Sequence, residues 1–245
     1  MRRLLSAKLL PYLSYTAGIL CAAGMAVLYI AGEDEKGLLP PMHIGWIFAC
    51  LTGVAGLALL IYLVRDLGGK FRYRQLFAPS APAAVGTLAA AVGFASDGVA
   101  DVLGHGDIYS IICGFFCIVS AIALLFLAHC RHTGQRPTYF IRAFVTAALM
   151  LRLICSFRHW TNPQLETYLF PLLASVSLML ACYHHTTLDA GFGSRKTYVF
   201  TSQAAVILCC GAIFSDGWLF YLTAALWMGL DIPDLRPIKK LTQKD

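Results

Sequence analysis

Asp97 and Asp101 stand four residues apart in the run Ser80–Gly104, SAPAAVGTLAAAVGFASDGVADVLG. If that run is helical they share one face, and His105 would extend the stripe, although Gly104 and Gly106 argue against continuation. A later apolar run brings Arg152 to a similar depth, with His159 seven residues further on and Arg158, Glu166 and Asp216 near the same boundary. An ionisable side chain inside an apolar span needs a partner, water or a function. The expectation is therefore an Asp97–Arg152 pair, with Asp101, His159 and Glu166 around a wet vestibule. Carboxylates with imidazole are usable cation ligands. The same residues would also serve as a structural ion pair flanked by polar helix ends.

A second group follows from ACYHHTTLDAGFGSRK. Adjacent His184 and His185 face different sides of a helix, whereas His185 and Asp189 share a face. That pair resembles a carboxylate-oriented histidine able to titrate near neutral pH. Arg142 and Gln203 are expected in the first turns of neighbouring helices at this end. A solvated polar helix end, closed by the Gly191/Gly193 turn, would show the same residues.

Other chemistries are absent from the pattern. There is no G-x-S-x-G, no H-E-x-x-H, no phosphate-binding glycine loop and no Cys-x-x-Cys. The nine cysteines lie inside apolar blocks, apart from Cys130. Cys113 and Cys117 share a face and Cys209–Cys210 are adjacent, without a histidine beside either pair to complete a metal site. Buried cysteine usually behaves as a small hydrophobe. Neither a metal nor a cofactor is expected, and an enzyme is the less favoured class.

What must position these residues is a membrane bundle. Of 245 residues, 58% are hydrophobic and only 13% charged, against about a quarter charged in a soluble domain. The apolar residues come in long blocks, and blocks of roughly 18 or more read as transmembrane helices. The expected fold is all-α: a single polytopic bundle over residues 1–245. Its eight spans are Leu9–Ala31, His43–Val64, Ser80–Val102, Ile108–Ala128, Thr138–Phe157, Leu165–Tyr183, Thr197–Phe214 and Trp218–Leu230. The basic amino-terminal start is read as a retained first span, with cleavage as a signal peptide the alternative. The last span is short enough to be re-entrant.

Lys and Arg alternate between loops, apart from Arg158 in a loop expected outside: the start (Arg2, Arg3, Lys8), then Arg65–Arg74, Arg131/Arg136, Arg195/Lys196 and the tail. By the positive-inside rule both termini are cytoplasmic, which eight crossings satisfy. The formal charge of +6 thus suits anionic lipid at the cytoplasmic face and not nucleic acid. Tyr12, Tyr62, Tyr109, Tyr139, Trp160, Tyr168, Tyr198 and Trp218 suit interfacial belts. The Ala- and Gly-rich Ser80–Gly104 run, with Gly86/Ala90 and Ala89/Gly93 at small-xxx-small spacing, is expected to be the central helix.

The run Arg158-His-Trp-Thr-Asn-Pro-Gln-Leu-Glu-Thr-Tyr168, with Tyr183-His184 and Asp189-Ala-Gly-Phe-Gly-Ser-Arg195, resembles a family of uncharacterised bacterial multi-span membrane proteins. The first-span exit GEDEKGLLPPMH is similar to theirs too. The resemblance implies a bacterial source and a cytoplasmic-membrane address, and assigns no residue a role. Three functions fit: a small-molecule or ion permease, a membrane-embedded lipid-modifying hydrolase, or a non-catalytic subunit of a complex or sensor. The permease demands least beyond these residues. The hydrolase shares an eight-span, both-ends-in topology with lysoplasmalogenase-like enzymes, which is an analogy of fold alone.

Overall fold

A computed structural model describes residues 2–30, 44–65, 79–104, 107–159 and 165–231; the side chains of 2–9, 158, 159 and 165–167 fall outside the described set. The described residues form eight helices: α1 Arg2–Ile30, α2 Ile44–Arg65, α3 Ala81–Gly104, α4 Ile108–Thr133, α5 Tyr139–His159, α6 Leu165–Ala190, α7 Arg195–Gly211 and α8 Trp218–Leu230. Helices α1 to α6 contain stretches long and apolar enough to cross a bilayer. At 1.5 Å per residue, the 17 residues of α7 and 13 of α8 span about 26 and 20 Å, short of a hydrocarbon core of about 30 Å. Large apolar side chains such as Leu51, Ile61, Phe115, Ile122 and Phe140 point outward. The chain is a membrane-embedded helical bundle.

Helices α4 and α6 run past the spans expected from hydropathy. Polar ends such as His-Cys-Arg-His and His-His-Thr-Thr-Leu-Asp stay helical until Gly134 and Gly191, both at positive φ. This extension carries Arg131 and Asp189 on helices, not in loops, and so gives them fixed positions.

Consecutive helices from α3 to α8 pack side by side, and α8 closes back onto α3, making a ring of six. The α1–α2 hairpin packs on α7 from outside the ring. Neighbours in the ring are antiparallel. The Ser80 amide at the start of α3 donates to the Arg131 carbonyl at the end of α4 at 3.3 Å, and Tyr198 at the start of α7 meets Asp231 just past α8. One end of the bundle therefore gathers Arg65, Arg131, Arg136, Arg142, Arg195 and Lys196. The Lys196 ammonium there donates to the Arg65 carbonyl at 2.8 Å.

The centre is α7, not α3. Nearly every residue of α7 is buried, and it touches α1, α2, α6 and α8. Gly18 of α1 sits against Cys210, Gly56 of α2 against Ile207, and Phe170 of α6 against Gly211. Small-xxx-small spacing marks close approach, and α3 uses it against two neighbours while still turning Val85, Leu88, Val92 and Val99 outward. Its Gly86 and Gly93 admit α8, and its Gly98 meets Gly114 of α4. Burial on all sides depends on what surrounds a helix, which spacing along one helix does not report. Tyr198 is corrected in the same way: expected in a belt, it is fully buried.

A methyl group placed on Gly98 would lie 2.7 Å from the Gly114 carbonyl oxygen, and one on Gly114 would lie 2.5 Å from the Gly98 carbonyl oxygen. Backbone atoms cannot swing aside as a side-chain tip can. Gly98→Ala is expected to cost about 1–3 kcal/mol by overpacking, read as a lower unfolding temperature in detergent. The outward-facing Val99→Ala serves as control and should change little.

Candidate functional site

Two buried polar clusters occupy opposite ends of the six-helix ring. In the first, Arg152 of α5 grips Asp97 of α3 with two bonds: Nε to Oδ2 at 2.6 Å and Nη2 to Oδ1 at 3.1 Å. Both side chains are nearly buried. The fork-to-fork geometry is the stronger form of an Arg–carboxylate pair. The guanidinium also lies 3.9 Å from the Phe220 ring centroid and 5.5 Å from that of Tyr221, both on α8. Three helices therefore converge on one cation. Gly217, in the turn before α8, passes close by; a methyl group there would lie 3.3 Å from Asp97 Oδ1, and its φ of +80° favours glycine.

Beside this pair is a cavity of about 80 Å³ lined by Asp97, Asp101, Ser110, Cys113, Arg152, Cys155 and Ser156. Asp101 is half-buried and lies one helical turn from Asp97. Thus Asp97, Asp101 and Arg152, which the sequence analysis grouped, line one space. His159 and Glu166 belong to the same expectation, but their side chains lie outside the described residues, as does His105. The serines and cysteines of the cavity were not expected. Their periodic placement on α4 and α5 is ordinary for membrane helices and carries no distinguishing signal.

The second cluster lies at the arginine-rich end. Arg142 Nε donates to Asp189 Oδ2 at 2.6 Å, and Arg142 Nη1 lies 2.9 Å from His185 Nδ1. Arg136 donates to the backbone carbonyl of Asp189. Arg131 Nε donates to Asp231 Oδ1 at 2.7 Å, and Tyr198 Oη donates to the Asp231 carbonyl at 3.1 Å. His185 Nδ1 is 3.4 Å from Asp231 Oδ2, and its ring lies 4.7 Å from that of Tyr198. The network joins α4, α5, α6, α7 and the residue that ends α8. Burial outweighs Arg131 and Arg142 and pushes the Asp231 carboxyl above its ordinary range.

Here the structure rearranges the expected partners. Asp189, expected to orient His185, instead takes Arg142, and the carboxylate facing the imidazole is Asp231. A shared helix face brings two residues within reach, but a guanidinium from α5 competes for the acid. Gln203 is fully buried at 0% exposure, and neither atom of its amide bonds a described residue. It lies outside the network. Arg131, Tyr198 and Asp231 are not among the residues expected here: the sequence pattern puts Arg131 in a loop and Tyr198 in a belt, and gives Asp231 no role. The usable signal was Asp231 itself, an acid directly closing the apolar block WLFYLTAALWMGL. Among the described residues, no group of three or more His, Cys, Asp or Glu side chains is arranged to hold a metal ion.

The chain matches no protein-family profile, no curated protein and no solved structure. The functional reading therefore rests on these two clusters.

Removing one member of a buried pair strands the other's charge. Arg152→Leu is expected to lower stability by about 3–5 kcal/mol. The double variant Asp97→Asn/Arg152→Leu should be markedly more stable than Arg152→Leu alone. The check is a double-mutant cycle on thermal unfolding in detergent. Strictly additive losses would mean that the pair is not coupled.

Proposed function

We propose that this protein is a permease for a small cation, with Asp97 and Asp101 as its acidic site and Arg152 as a tethered counter-ion. The observation that carries this reading is the cavity, at about 80 Å³, with two carboxylates and two hydroxyls on its wall. That volume suits a few waters or one partly hydrated ion, since a water's share of the liquid is about 30 Å³. Pockets for drug-sized ligands run to about 300–1,000 Å³, so a lipid head and its acyl chain are disfavoured as occupants. Carboxylate and hydroxyl oxygens are hard ligands, matched to hard cations.

In this mechanism Arg152 occupies Asp97 in the resting state. A cation entering beside Asp101 competes for Asp97, while Phe220 and Tyr221 continue to hold the guanidinium by cation–π attraction. Exchange of partners then loosens the α3–α5 joint and favours a second packing of the ring. The arginine-rich end faces the cytoplasm under the positive-inside rule, and the acidic cavity faces the other side. Eight crossings of a bacterial cytoplasmic membrane, with anionic lipid against the basic end, complete the proposal.

The test is ion uptake into proteoliposomes, screened over alkali and alkaline-earth cations and protons. Asp101→Asn removes a site charge without stranding Arg152 and should cut flux by about tenfold or more, equivalent to about 1.4 kcal/mol. Uptake by Asp101→Asn equal to that of the unaltered protein, or no uptake above empty liposomes for any of these ions, would sink the reading.

A further inference from the structure

The arginine-rich end contains a contact that cannot be satisfied on both sides at once. His185 Nδ1 sits 2.9 Å from Arg142 Nη1, which can only donate, and 3.4 Å from Asp231 Oδ2, which as a carboxylate can only accept. A ring nitrogen has either a lone pair or a proton. With the lone pair it accepts from Arg142 and faces Asp231 as a second acceptor. With the proton it bonds Asp231 and opposes Arg142. The shorter distance marks the present state as the first of these.

We infer that His185 and Asp231 together form a proton-binding site, and that Arg142 is the arm that moves when the proton arrives. A proton taken from water settles between His185 Nδ1 and Asp231 Oδ2, and Arg142 Nη1 leaves. It has somewhere to go: Asp189 Oδ1 is buried and accepts no hydrogen bond from a described residue, while Oδ2 of the same carboxylate already holds Arg142 Nε. Arg142 then grips Asp189 with both branches. Which of the two groups carries the proton is a property of the pair, not of either residue.

The surrounding charges set the balance. Arg131 faces from α4 and Arg142 from α5, and both oppose the proton; Asp189 faces from α6 and favours it. Arg136, which donates to the Asp189 carbonyl, Cys130 of α4 near Arg142, Cys182 of α6, and Tyr198 and Arg195 of α7 are the other titratable and charged groups described around it, and the acids of α3 lie at the other end of the ring. Burial holds the Asp231 carboxyl above its ordinary range and so favours the proton on the acid, while it disfavours a charged imidazole beside it. Protonation also weakens the hold of Asp231 on Arg131, so the α4–α8 joint loosens as Arg142 tightens on α6. The device has two discrete arrangements, one with Arg142 shared between Asp189 and His185 and one with Arg142 on both oxygens of Asp189.

The proton site itself does not depend on the permease reading. Where that reading holds, this site names the coupling ion. The experiment is infrared difference spectroscopy on the full chain in nanodiscs between about pH 8 and pH 4. A carboxylic-acid or imidazolium band should titrate in the unaltered protein and be lost in Asp231→Asn. His185→Gln leaves the Arg131–Asp231 bond intact and so stays folded if Asp231→Asn does not; it should shift the midpoint by about one pH unit or more. Asp189→Asn removes the resting place of Arg142 and should move the midpoint while keeping the band. No titrating band in the unaltered protein, or the same band and midpoint in His185→Gln and Asp231→Asn, overturns the inference. Uptake driven by an imposed pH gradient then decides separately whether transport uses the proton.

Discussion

A charge removed from water must find its counter-charge inside the protein, and in a membrane bundle the counter-charge must come from another helix. That requirement governs this molecule at both ends. Arg152 reaches Asp97 across α5 and α3, Arg142 reaches Asp189 across α5 and α6, and Arg131 reaches Asp231 across α4 and the end of α8. Each link fixes how far two helices can slide past one another. Apolar side chains packed against lipid-like neighbours impose no such register, because one Leu or Ala contact can replace another. The ion pairs therefore specify the packing more than they stabilise it, since buried pairs roughly offset their own desolvation.

Close packing makes those links possible. A guanidinium reaches a carboxylate on a neighbouring helix only if the two axes come near, and the glycines and alanines supply that approach. Gly98 against Gly114 brings α3 to α4, and Gly86 and Gly93 bring α3 to α8. The helix with the least to gain from lipid, α7, takes the interior position. Its small and polar side chains, from Thr201 to Gly211, are covered by protein on every side. Its 17 residues need not reach across a full hydrocarbon layer alone, because α1, α2, α6 and α8 surround it.

The two polar clusters differ in what they leave open. At the Asp97–Arg152 end the guanidinium and its carboxylate are matched to each other, and beside them is a small cavity with Asp101 on its wall. At the other end, what His185 leaves open is a choice between hydrogen-bond partners, Arg142 or Asp231. The first arrangement suits an ion that enters and leaves. The second suits a proton, which needs a lone pair and almost no volume.

The composition and the long apolar blocks determined a helical membrane bundle, because backbone groups in lipid must be satisfied within each segment. The depth of Asp97 and Arg152 within their blocks was likewise legible, and so was their pairing, since few partners of opposite sign share that level. Spacing along one helix reports which residues share a face, as with His185 and Asp189. It does not report which other helix arrives at that face. Only the tertiary structure decided that Arg142 would claim Asp189, that Asp231 would turn to His185, that Tyr198 would leave the interface for the core, and that α7 rather than α3 would stand at the centre. Helix order around a bundle is settled by the joint packing of all the faces together, and no single stretch of sequence contains that sum.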